Sequence, residues 1–205
     1  MITALNPTDN ELLSKMLSGD EDALTTLYRR RHAGIYRFAL QMSGSPSLSE
    51  DVTQEVFMIL MRDGMSYDAA RGSLSAFLFG VARNLMRQRQ GRERFYVSMD
   101  DEGGDGNIAD GFVVDDSPLD ELSRGETIES VRRAVLSLPQ RYREVVVLCE
   151  LQELSYSEAA GVLDCAIGTV RSRLHRARAM LIEKMRPARA EEPTAEGVKQ
   201  ARCFA

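Results

Sequence analysis

Between Val97 and Glu121 the chain holds nine carboxylates, four glycines and a proline, and neither lysine nor arginine. No sustained helical period runs through this stretch, and it is too polar to order itself by burying side chains. A chain interrupted in this way carries a linker there. It folds as two blocks joined by a tether, each with room for one small core within the 205 residues available. The expected division is a first domain over 10–96, a tether over 97–122, a second domain over 123–186 and a tail over 187–205.

The net charge of −5 conceals how the charges are distributed. Setting the tether's acids aside leaves 22 acids against 26 bases, so the remainder is mildly basic. The tether itself has two readings. It is a solvated spacer, or it is an acidic strand that lies where nucleic acid would otherwise lie.

Both flanking blocks carry helical periodicity, which makes the fold class all-α. In the first, a short helix ends at the Gly19-Asp20 break. A longer one follows, with Leu24, Leu27, Tyr28, Ile35, Phe38 and Ala39 on one stripe. Ser47 and Glu50 have the spacing of a capping box and open a helix that stops at Gly64. Val52, Val56, Ile59 and Leu60 share its inner face, so Asp51, Gln54, Met58 and Arg62 face outward. After a loop comes a helix with Leu74, Phe77, Leu78, Val81 and Leu85 on the core side, and with Arg83 and Arg87 pointing out beside Asn84.

In the second block, "TIESVRRAVLSL" forms one helix and Pro139, in a first-turn position, opens another. Ser155 and Glu158 form a capping box for a short helix, and the break "DCAIGT" leads into "IGTVRSRLHRARAML". A short helix, a tight turn and a basic helix is the pattern of a helix-turn-helix. On the last helix Val170, Leu174, Ala177 and Leu181 recur at i, i+4, i+7 and i+11 and pack inward. Arg171, Ser172, His175, Arg176 and Ala179 therefore form the exposed face, with Arg173 and Arg178 on its flanks. The stretch contains no acid to neutralise them through i, i+4 pairs. Arginine grips guanine edges or phosphates, and serine and histidine reach neighbouring edges, so this face suits a duplex major groove.

The first block has a cationic stretch of its own. Arg83 to Arg94 contains five arginines and one acid, Glu93, just after Phe77 and Phe79. Rings beside cations suit single-stranded nucleic acid, whose unstacked bases lie on aromatic faces. The same spacing equally suits core phenylalanines next to a solvated helix end.

Other function classes lack support. Cys149, Cys165 and Cys203 have no metal-ligand spacing, and His32 and His175 are the only histidines. There is no phosphate-binding glycine loop, nucleophile elbow or metal-binding histidine motif, so no catalytic residue, metal or cofactor is expected. Cys149 and Cys165 read as small buried hydrophobes and Cys203 as a thiol in the tail. No apolar run approaches the roughly 18 residues of a membrane span. The N-terminus also lacks the basic flank and apolar core of a secretory signal, so a cytoplasmic location is expected. The tail reads as disorder first, then as a short helix or a regulatory extension.

The stretches "SEDVTQEVFMILMRD", "SLSAFLFGVARNL" and "LPQRYREVVVLCELQELSYSEAAGVLDCAIGTVRSRLHRARAML" together resemble the extracytoplasmic-function (ECF) group of bacterial sigma factors. These small members of the sigma-70 family keep only its second and fourth conserved regions. The resemblance implies that Asp51, Gln54, Glu55 and Met58 grip the clamp helices of the largest subunit of core RNA polymerase, with the flap as a further contact. It also implies that the loop from Met65 to Ser73 and the helix after it open promoter DNA and capture a flipped base of the nontemplate strand. Phe77, Arg83, Asn84 and Arg87 are the residues concerned. Thr169, Arg171, Ser172, Arg173, His175, Arg176 and Arg178 would then read the upstream element as duplex. An anti-sigma factor is implied as a regulatory partner. Where the family commonly has Thr-Trp-Leu, this chain has Ala76-Phe77-Leu78, and it contains no tryptophan at all. Two rival readings use the same residues: a free-standing dimeric regulator, and an adaptor whose helical domains bind only protein.

Overall fold

The computed structural model describes residues 7–100 and 120–185, with side chains for 7–89 and 128–185. Eight α-helices account for nearly all of this, and no strand occurs among the described residues. The first four are α1 (Asp9–Leu17), α2 (Glu21–Ser43), α3 (Pro46–Asp63) and α4 (Leu74–Asp100). The others are α5 (Asp120–Leu136), α6 (Gln140–Val146), α7 (Tyr156–Leu163) and α8 (Ile167–Met185).

The helix starts follow from local chemistry. Thr8 and Glu11 form a capping box at α1, and Asp20 accepts from the Ala23 N–H at α2. At α3 the start differs from the expected capping box at Ser47. Ser45 is the cap, accepting from the Leu48 N–H, and Pro46 occupies the first turn. A proline loses nothing there, because its missing N–H would have had no helical acceptor. As expected, α3 stops at Gly64. The glycine stays right-handed and leads into a 3₁₀ turn, Gly64–Ser66.

Phe38, Leu27 and Ile35 of α2, Val52, Val56 and Leu60 of α3, and Leu74 and Leu78 of α4 are fully buried, in a hydrophobic core that continues into buried residues of the second half. Each such side chain contributes about 1.5–3 kcal/mol by leaving water. Leu24 is only half-buried. Tyr28 is exposed, resting on Phe57 at 4.7 Å between ring centroids.

In the second half, Pro139 is the cap of α6 rather than a first-turn residue. The expected single helix after it is short. It passes into a π-helical turn, Val147–Leu151, and ends where Glu153 turns left-handed at φ 56°. The capping box at α7 forms as expected, with Ser155 and Glu158 satisfying each other's N–H groups. Asp164 then takes a left-handed conformation, φ 51°, which its short polar side chain tolerates. This makes the tight corner that throws α8 across α7.

α4 extends through Asp100 and α5 begins at Asp120, so helix occupies both ends of the segment expected as a tether. The rest of that segment, the tail and Cys203 lie outside the described residues. The two halves are packed together: α4 lies against α7, and α2 meets α5, α6 and the π turn.

Candidate nucleic-acid interface

α8 is seated by Val170, Leu174 and Ala177, all essentially inaccessible, with Leu181 half-buried. Arg171, Ser172, His175, Arg176 and Ala179 are exposed on the opposite face, as their spacing dictates. Thr169 and Arg173 are half-buried at its edge, and the Ser172 hydroxyl donates to the Thr169 carbonyl at 3.1 Å.

Groups on other elements lie beside the arginines of this face and its flank. The Arg171 guanidinium stands 6.0 Å from the centroid of the Tyr156 ring at the start of α7. Arg176 lies beside Tyr142 of α6, which favours the phenolate and lowers that phenol's pKa. Arg178 donates through Nε to Glu150 of the π turn at 3.2 Å, and Nη2 reaches the same oxygen. Its charge is thus partly matched by an acid from another element.

The second cationic surface is arranged differently from expectation. Asn84 and Arg87 of α4 are exposed, but Arg83 does not point into solvent. Its Nε donates to Glu144 Oε1 at 2.8 Å, Nη2 to Oε2 at 3.4 Å, and Nη1 to the Val162 carbonyl at 3.3 Å. Only 12% of the Arg83 side chain and 6% of that of Glu144 are accessible. The physical reason is the packing of the two halves. Glu144 is buried on α6, and Arg83 supplies the opposite charge that pairs with it there. Phe79 is buried against Phe38, at 5.4 Å between centroids, and is not a free stacking platform. Phe77 is half-buried against Tyr67, 5.6 Å away and tilted by 58°. The Tyr67 hydroxyl lies 2.9 Å from Asn10 Oδ1 and 3.0 Å from the Gly72 carbonyl, so Phe77 sits beneath a pinned loop.

On α3, Asp51 and Gln54 are exposed, Glu55 is half-buried and Met58 is 63% accessible. Met61 and Met65 extend the apolar ridge at i+3 and i+7 from Met58, and both are exposed. The ridge was legible as spacing, since methionines at that interval cannot all face inward beside Val52, Val56 and Leu60. Arg89 of α4 bridges the acids, at 2.7 Å from Glu55 Oε2 and 3.4 Å from Asp51 Oδ2.

Further ties join the halves. The Ser73 hydroxyl donates to Glu158, and with Ser155 this holds the Glu158 carboxyl below its ordinary range. Arg143 donates to the Met42 carbonyl of α2 at 2.7 Å and to the Leu138 carbonyl at 3.1 Å. Its burial pushes its pKa down. None of Glu144, Arg143 or Glu158 was anticipated as a partner of the first half. The acid inside "YREVVVL" was the available signal, because a carboxylate within an apolar run calls for a buried cation.

Among the described residues no group of three or more His, Cys, Asp or Glu is placed to hold a metal ion. Cys149 and Cys165 are half-buried against the core rather than enclosed, and burial raises the Cys149 thiol pKa. No helix of the described residues is long and apolar enough to cross a membrane.

Among the described residues, an all-helical arrangement presents a cationic face from the second helix of a helix-turn-helix, beside a helical block with an acidic and methionine-lined face. The chain matches the sigma-70 region 2 family over residues 27–95 and the sigma-70 region 4 family over residues 128–181. It is 30% identical over 178 residues to the ECF RNA polymerase sigma factor SigW of Bacillus subtilis, covering 85% of this chain and 95% of that one. With the ECF RNA polymerase sigma-E factor of Escherichia coli K12 it shares 32% identity over 190 residues, 88% of this chain and 95% of the relative. Among solved structures it resembles the sigma factor RpoE of Bartonella quintana, crystallised with the anti-sigma factor NepR. That match has a TM-score of 0.64 and 26% identity, and covers 83% of this chain and all of that one. The chain belongs to the ECF RNA polymerase sigma factors of the sigma-70 family.

Proposed function

We propose that the chain binds core RNA polymerase and directs it to a class of promoters, with α8 reading the upstream element as duplex and α4 holding the nontemplate strand once the duplex opens. The observation that carries this reading is the exposed face of Arg171, Ser172, His175 and Arg176, offered by a helix seated on three inaccessible apolar residues. A rigid helix with cations on one side presents them to a groove without reorganisation.

Asp51, Gln54, Glu55 and Met58 form the surface for the polymerase clamp helices, with Met61 and Met65 adding apolar contact that adapts to its partner. Asn84 takes the extruded base, and Arg83 and Arg87 grip the adjoining backbone. Capture of an unstacked base biases the duplex towards melting, because pocket contacts offset a few kcal/mol of lost stacking. Phe77, beneath the loop over 65–73, supports that loop in place of the family's usual tryptophan. The acidic tether follows the nucleic-acid path through the polymerase, which suits its lack of cations. An anti-sigma factor holds the free chain, a reading supported by the NepR-bound relative.

Transcription with purified core polymerase tests the whole proposal. The chain with core should start RNA at defined sites that share two spaced upstream elements, while neither component should do so alone. Duplex binding without any dependence on core would favour a free-standing regulator. No binding to either DNA or core would leave only the adaptor.

A further inference from the structure

We infer that Glu144 is a charge latch that occupies Arg83 in the free chain, withholding that cation from the single-strand surface of α4 while leaving the duplex-reading face of α8 open. The inference rests on the proposed role of α4, and it adds a regulatory contact within the chain itself.

All three guanidinium nitrogens of Arg83 have acceptors in the second half: two on the Glu144 carboxylate, and the third on the Val162 carbonyl. A guanidinium so engaged has no fork left for a phosphate. Its neighbours Asn84 and Arg87 are exposed, so the occlusion falls on one residue of the group rather than on the whole surface. Ser73, at the end of the loop that precedes α4, is tied to Glu158 in the same closure. By contrast, Arg171, Ser172, His175 and Arg176 lie on the solvent side of α8 and are all exposed. The closed chain is thus asymmetric: one nucleic-acid surface has a cation engaged across the halves, and the other lies open to solvent.

The exchange is chemically even-handed for Arg83, because carboxylate and phosphate oxygens accept the same bidentate fork. It is not even-handed for Glu144. Once Arg83 leaves, the carboxylate is a buried uncompensated charge unless the halves separate and water reaches it. Binding of a strand at Arg83 and separation of the halves are therefore one linked event, and polymerase binding that holds the halves apart prepays it.

The full chain provides the test. Glu144→Gln removes the charge with little change of shape. Ser73→Asp keeps an acceptor for the Ala76 N–H, which Ser73 caps at 3.2 Å, but sets a carboxylate against Glu158. Solution X-ray scattering reads closure, and fluorescence anisotropy reads binding of a random-sequence single-stranded oligonucleotide and of its duplex. Both variants should enlarge the radius of gyration and bind the single strand about tenfold tighter, since a larger fraction of the chain is competent. Duplex affinity should stay unchanged, and adding Arg83→Gln to Glu144→Gln should abolish the gain. Expansion without tighter single-strand binding, or no expansion in either variant, overturns the latch. Should Glu144→Gln not fold, Ser73→Asp alone decides. None of these readouts uses polymerase, so failure of the wild-type chain to start RNA with core strikes the functional reading separately.

Discussion

Glu150, on the π turn, accepts a hydrogen bond from Nε of Arg178 on α8 at 3.2 Å, across an interval of 28 residues. The pair ties the flank of the recognition helix to the element before the helix-turn-helix, and it raises the Arg178 pKa. Both side chains are substantially exposed, so the pair contributes little to folding. On the proposed role of α8, its effect is on duplex affinity. Glu150→Gln should leave the unfolding midpoint nearly unchanged and tighten duplex binding a few-fold. The salt dependence should steepen by about one released counterion as Arg178 turns to a phosphate. Anisotropy titrations over a salt series check this, and an unchanged slope would remove Arg178 from the DNA contacts.

Arg171 and Arg176 carry the central prediction for the duplex face. Replacing either by alanine should cost roughly 1–3 kcal/mol of specific binding to the upstream element. Affinity for core polymerase should stay intact, because neither side chain approaches α3. Competition binding to core, run beside the duplex titration, separates the two effects. Equal loss in both would show that the substitutions act through folding.

How much of this was legible in the sequence depends on the range of the interactions. α8 was legible in full: Val170, Leu174 and Ala177 lie where a period of 3.6 puts them, and the capping box at Ser155 is a local bond with a local signature. The outward acids of α3 were legible for the same reason. What periodicity could not reach was the packing of one helical half on the other. Arg83 sits on the polar side of α4 by spacing, yet it is turned from solvent and half-buried because Glu144, 61 residues away, meets it there. Phe79 shares a buried face with Ala82 and Met86 and packs against Phe38 of α2, a partner that α4's own sequence does not name. The start of α3 was misplaced because two serines compete for it, and Pro46 decides in favour of Ser45.

The α3 face yields a prediction of opposite sign from the DNA substitutions. Asp51→Asn with Gln54→Ala should weaken binding to core polymerase and leave duplex affinity alone. Arg89→Gln should act the other way on the first property. It releases Glu55 and Asp51 from the guanidinium that bridges them and leaves two free carboxylates for a basic partner. Surface-immobilised core and the purified variants measure both, and a lack of change in either direction would detach this face from polymerase binding.

Leu174 is 2% accessible and lies at the centre of the seat of α8. Leu174→Ala should destabilise the chain by about 2–5 kcal/mol through lost burial and the cavity left behind. Denaturant unfolding reads this directly. Duplex affinity should fall with it even though the side chain touches no DNA, because the arginine face is only as well placed as the apolar face that seats it.

The Glu158 carboxyl gives a pH dependence whose sign is fixed by its partners. Hydrogen bonds from Ser73 first, then from Ser155, hold its pKa below the ordinary 4.5 in the folded chain. A carboxyl depressed on folding adds stability that is complete above the unfolded value. That stability is lost as pH falls through the folded one. From neutral pH down to about 5 no change should come from this group. Below 4.5 protonation removes the acceptor that caps α7 and that ties Ser73 to the second half. The melting temperature should then drop and the chain should expand together. Glu158→Gln should be less stable at neutral pH and should approach the wild type as the pH is lowered through this window. Thermal unfolding and scattering across the acid range measure both, and parallel curves for the two proteins would show that Glu158 is not the group that titrates.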